Sequence, residues 1–193
     1  MLGKYHRGDT VIELLMAFTI FSLAAIATIT VLNQGIAIAE RSMEVSLVRQ
    51  QIDSQAEVIR YIEATKDPAW TILTGPSVLT TTPSPLSQSA CPNISALSGG
   101  KSFFITQNTT GAFRVNTITV ASSNYIDAAT YARINYSQTA PKALGLWVEV
   151  AKAENVGHAA NLEAYDFYIH ACWTGMGTSV PMTQGTIVRV YAR

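Results

Sequence analysis

Residues 14–39 form an uncharged, largely apolar run of about 26 residues, and nothing else in the chain limits the fold so strongly. At the helical rise of about 1.5 Å per residue the run reaches about 39 Å, enough to cross a hydrocarbon core of roughly 30 Å. Lys4 and Arg7, with His6, precede it, so the positive-inside rule places the N-terminus in the cytoplasm and residues beyond Glu40 outside. One carboxylate, Glu13, lies at the rim of the run, and no other charge follows until Glu40. A carboxylate there is costly unless a positive partner meets it. The head of this helix is therefore expected to engage a partner.

The remainder is rich in Ser, Thr and Asn, and charged residues make up only 13 % of the whole, against roughly 25 % in ordinary soluble domains. That texture suits a secreted surface better than a cytosolic enzyme. The formal net charge is +0, so no global field draws the chain to nucleic acid, and no basic cluster for DNA stands out beyond the apolar run. Cys91 and Cys172 are the only cysteines, both on the exported side. Without metal-type spacing they read as one disulfide in an oxidising compartment, with two free thiols as the alternative.

Five segments follow along the chain. Residues 1–8 read as a leader, and 9–39 as the apolar half of a long helix. Residues 40–66 are its amphipathic half: Val45, Val48, Ile52, Ile59 and Ile62 recur in three- and four-residue steps, with Gln55 as a polar interruption. Lys66, Asp67 and Pro68 mark the stop. Residues 67–100 form a Ser/Thr/Pro-rich loop, expected to be tethered at Cys91. Residues 101–193 carry short strand patterns at 103–107, 113–120, 131–136, 144–150, 165–171 and 187–191, which read as an antiparallel sheet. Leu144, Leu146, Val148 and Val150 alternate with Trp147 and Glu149, while Tyr165, Phe167 and Ile169 alternate with Tyr168, His170 and Cys172. The apolar sheet face needs a cover, and the amphipathic half-helix is available. The fold class expected is α+β.

The junction Arg7-Gly8-Asp9-Thr10-Val11-Ile12-Glu13, with the apolar run behind it, resembles the head of a type IV prepilin or pseudopilin. The resemblance rests on Gly8, Glu13 and the run from Val11 to Ala39, roughly the first fifth of the chain. It implies cleavage between Gly8 and Asp9 by a prepilin peptidase and methylation of the new N-terminus at Asp9. It also implies filament assembly through Glu13, and a pilin-like head in which a long helix packs on an antiparallel sheet. The partners implied are other pilin subunits in a helical filament, an assembly platform with its ATPase, and the membrane. The subunit would span the cell membrane once before assembly and stand on the cell surface afterwards. Such filaments serve adhesion, surface motility, DNA uptake or secretion. Two features depart from the pattern: Asp9 stands where Phe or another apolar residue is usual, and the apolar run contains no proline.

Other readings compete. Ala37-Ile38-Ala39 resembles a secretory cleavage site, but the apolar run is about twice the usual length for a signal peptide. An uncleaved membrane anchor carrying an extracellular binding module explains the run but not the Gly8–Glu13 spacing. Catalysis has weak support. His170 and Cys172 are two apart on a strand, too few to hold a metal, and a nucleophilic pair needs a free thiol. No catalytic residue, metal or cofactor is expected. Sequons at Asn93, Asn108 and Asn135 arise readily in so Ser/Thr-rich a chain. Trp147, Tyr168, Arg189 and Tyr191, with Arg193, are candidates for an outward binding patch.

Overall fold

The computed structural model describes residues 9–85, 89–99, 101–137, 140–153, 163–175, 178 and 180–192. The expected leader, with Gly8, and Arg193 lie outside them. Helix α1 runs Asp9–Ala64, matching the expected long helix. Its residues up to Ser42 belong to one unit, and a second, compact unit begins at Met43.

In the first unit the helix presents apolar side chains all round, among them Ile12, Leu14, Phe18, Phe21 and Leu23, all exposed. Among the described residues one helix is thus long and apolar enough to cross a membrane. Its hydroxyls do not compromise that surface. Thr19 donates to the Met16 carbonyl, Ser22 to Phe18, Thr28 to Ala24 and Thr30 to Ile26. Each of these four hydroxyls is satisfied within three or four residues of its own position, as hydrocarbon surroundings demand.

The second unit begins with the amphipathic turns of α1. Val48, Ile52, Ala56, Ile59 and Ile62 are buried, as the periodicity predicts, whereas Val45 stays exposed. The helix ends where Lys66 takes a left-handed conformation (φ 54°). Lys66 N–H then donates to the Glu63 carbonyl and Asp67 N–H to Ile62, which satisfies two end carbonyls in a Schellman arrangement. Pro68 follows, and the Asp67 carboxylate accepts from Ala69 N–H at the start of the short helix α2 (Ala69–Leu73).

The loop region is not bare coil. Beyond α2 it adds a parallel bridge between Leu79 and Val150 and a short helix α3 (Ile94–Ser98). Asn93 caps α3, its side chain accepting from Ala96 N–H.

The strands are β1 (Phe103–Gln107), β2 (Phe113–Thr117), β3 (Tyr125–Ile126), β4 (Arg133–Asn135), β5 (Lys142–Leu144), β6 (Leu146–Ala153), β7 (Glu163–Trp173) and β8 (Met182–Ala192). Five form an antiparallel sheet in the order β2-β1-β6-β7-β8. The fold is therefore α+β. The expectation of a purely antiparallel head needs one correction: β3-β5-β4 make a separate small sheet, in which β3 and β5 run parallel.

A second correction concerns the strand expected over 144–150. It breaks at Gly145, which has φ +62°. A Cβ there would lie 2.1 Å from the Cys172 carbonyl oxygen and 2.9 Å from Ala128 Cβ. Gly145 N–H donates to Ile126, and its carbonyl accepts from Cys172 N–H. One glycine thus switches the chain from the small sheet to the large one, at a point where no side chain fits.

Both faces of the five-stranded sheet are covered. Toward α1 and α2 lie Val148, Val150, Phe167 and Ile169, with Trp173 Nε1 donating to Glu44 of α1. Trp70 of α2 packs on the Tyr165 and Phe167 rings. The opposite face, with Trp147, Glu149, His170 and Cys172, is buried too. Tyr125 of β3 meets Trp147 edge-on, Ser84 meets Glu149, and Cys91 bonds to Cys172.

Candidate functional site

The apolar segment of α1 carries a single charge between its first residue and Glu40. Asp9 is the first residue of the helix, and Glu13 stands four residues on. Glu13 is exposed between the exposed side chains of Ile12 and Leu14. Among the described residues it has no ion pair and no hydrogen bond. The α1 backbone cannot neutralise it either, beyond the favourable field of the helix N-terminus. A carboxylate so placed gains most from a cation supplied from outside this chain. Gly8, the expected cleavage residue, lies outside the described residues.

The cysteines form the expected bond. Cys91 and Cys172 are joined with a Cα separation of 5.4 Å, and they stand 81 positions apart in sequence. Cys172 is buried at the end of β7, so the bond ties the loop to the sheet's outer face. No thiol remains at Cys172 to pair with His170 as a nucleophile.

The proposed aromatic patch does not survive as a set of four. Trp147 is 0 % exposed, held between Tyr125 and the His170 ring, whose centroid is 4.9 Å away in a stack. It cannot belong to a surface, because the small sheet, invisible as a unit in the sequence, covers it. Tyr168 is half-buried and its ring lies nearly parallel to that of His170, with centroids 6.4 Å apart. Arg189 is exposed and grips Asp166 on β7 with two bonds of 2.7 Å. Tyr191 is 52 % exposed.

Two interior residues were legible only as oddities in apolar patterns. Gln55 is 4 % exposed on the buried face of α1. Its amide donates to the Ile105 carbonyl and accepts from Ile105 N–H, both at 3.0 Å. Strand β6 pairs with β1 only at Phe103, so Gln55 takes the place of a strand partner for Ile105. Glu149 is 4 % exposed on β6. It accepts from Ser84 N–H (2.6 Å), Ser84 Oγ (2.9 Å) and Ser102 Oγ (3.3 Å). His170 Nε2 stands 3.9 Å from Glu149 Oε2. That separation does not make an ion pair, because burial pushes the His170 pKa down to about 4 and the ring is neutral. Among the described residues no three His, Cys, Asp or Glu side chains gather to hold a metal ion.

Comparison of the chain with models of known protein families, with curated proteins and with solved structures finds no match. Functional assignment therefore rests on the residues themselves.

Proposed function

We propose that this chain is a structural, non-enzymatic subunit of a type IV pilus or related pseudopilus. It is inserted through α1, cut after Gly8 and drawn into a helical filament. The observation that carries the reading is Glu13: a carboxylate with no partner among the described residues, on an exposed, otherwise apolar helix surface. Cleavage creates an α-ammonium at Asp9. In a bundle of such helices that ammonium can meet the Glu13 of a neighbour, and the pairing favours one axial register. The apolar surface of residues 11–39 is then buried against copies of itself, as it was by lipid before assembly. A disulfide-tied, charge-poor head suits the outside of such a filament.

N-terminal sequencing of the mature protein is the primary test. A chain starting at Asp9 supports the proposal. An intact Met1 supports an uncleaved membrane-anchored binding module, and a start at Glu40 supports a secreted protein. Glu13→Ala is expected to insert and to be cut normally, yet to enter filaments at a fraction of the wild-type level. Normal incorporation of that variant removes Glu13 from the assembly mechanism.

A further inference from the structure

Glu149 Oε2 has two claimants. It accepts the Ser84 N–H at 2.6 Å, and it is the carboxylate oxygen 3.9 Å from His170 Nε2. Both side chains are nearly sealed from solvent, Glu149 at 4 % and His170 at 1 % exposure. Among the described residues neither His170 nitrogen has a hydrogen-bond partner. Ser84 belongs to the strap that crosses the outer sheet face from Leu79. That strap is tied to β6 by Thr80 N–H donating to the Val150 carbonyl and by the two Ser84 bonds to Glu149. We infer that Glu149 and His170 form an acid-operated latch: when His170 takes up a proton, the Glu149 carboxylate turns to the imidazolium and releases the Ser84 N–H, loosening the strap at Ser84.

The surroundings leave His170 few other claimants. Trp147 and Glu149 face it from β6, and Tyr168 flanks it on its own strand. Tyr125 of β3 lies behind Trp147. Gly185, opposite on β8, has no side chain, and the neighbouring Cys172 is locked in its disulfide. Lys101 lines the same cleft as Glu149, but its ammonium donates to the Pro76 carbonyl at 3.0 Å. Among the described residues Glu149 is therefore the one carboxylate placed to stabilise a His170 cation. The proton comes from solvent, so no further reactant is needed. Burial opposes protonation at neutral pH and keeps the latch closed there. The disulfide at Cys91 limits how far the loop can travel once Ser84 is free. The latch does not depend on the filament reading.

The experiment is amide exchange at Ser84, read as a protection factor by NMR on the full chain in detergent micelles between pH 7 and pH 4. Protection is expected to fall about tenfold or more, the loss of one charge-assisted hydrogen bond. The fall should track the imidazole resonances of His170 in the same sample. His170→Phe keeps the ring stack, cannot titrate, and should hold Ser84 protection flat over the range. His170→Gln serves the same purpose should the Phe variant fail to fold. Flat protection in the wild type overturns the latch. So does an equal fall in the His170 variants, or a midpoint at Ser84 more than about one pH unit from that of His170.

Discussion

Replacing Gln55 by Leu removes the amide that pairs with Ile105 while keeping a similar side-chain volume. The two lost bonds leave a buried N–H and a buried carbonyl at Ile105 without partners. Each such orphan costs about 1–3 kcal/mol. The added apolar burial of Leu offsets about 1–2 kcal/mol of that sum, so the net loss should be about 3 kcal/mol. Gln51 supplies the internal control. It is half-exposed one turn earlier and donates no such pair; its carbonyl accepts a single 3.4 Å bond from Ile134 N–H. Gln51→Leu should cost under about 1 kcal/mol, the value of a single long, part-buried bond. Urea unfolding of the full chain in micelles, followed by tryptophan emission, measures both. Trp70, Trp147 and Trp173 all lie beyond Met43, so the signal reports the head and not the membrane-type segment. A Gln55→Leu loss no greater than that of Gln51→Leu would refute the view that this amide stands in for a missing strand.

The remaining predictions concern the sheet's outer face and its crossing point. Cys172→Ser opens a loop of 81 residues and should lower stability by about 4–5 kcal/mol in the chain-entropy estimate; wild type under reductant should behave alike. Gly145→Ala must place a Cβ against the Cys172 carbonyl at a positive φ, so a loss of at least about 2 kcal/mol is expected in the same titration. His170 makes stability pH-dependent. Above pH 6.5 its ring is neutral whether folded or not and contributes nothing. Between pH 6.5 and about 4 only the unfolded chain takes up the proton, so stability falls with pH, by about 3 kcal/mol at most. His170→Phe should be flatter than wild type over that window; parallel curves would show that another group titrates.

Local patterns carried well where one element decided its own structure. Residues 9–64 read as helix because apolar spacing and the absence of proline act along a single turn, and Lys66-Asp67-Pro68 end it by local geometry. The strands at 103–107 and 165–171 read correctly for the same reason, since alternation is visible within each. The strand expected at 144–150 failed because Gly145 answers to Cys172 and Ala128, far away in sequence. Strand β3 has two residues and exists only through its pairing with β5, so it has no pattern of its own. Trp147 looked outward because alternation tells which residues share a face, and says nothing of what covers that face.

The sequence by itself determined a helix able to cross a membrane, a lone carboxylate at its rim, an amphipathic continuation, and a cysteine pair suited to one bond. These follow from composition and periodicity, which are properties of contiguous residues. Only the tertiary structure decided that Gln55 serves as a strand partner, that Glu149 binds the strap beside a neutral His170, and that the sheet is covered twice. Those outcomes depend on backbone groups and buried charges meeting across 50 to 65 residues of chain. At such distances the cost of leaving a buried polar group unpaired selects the partner, and no local pattern records it.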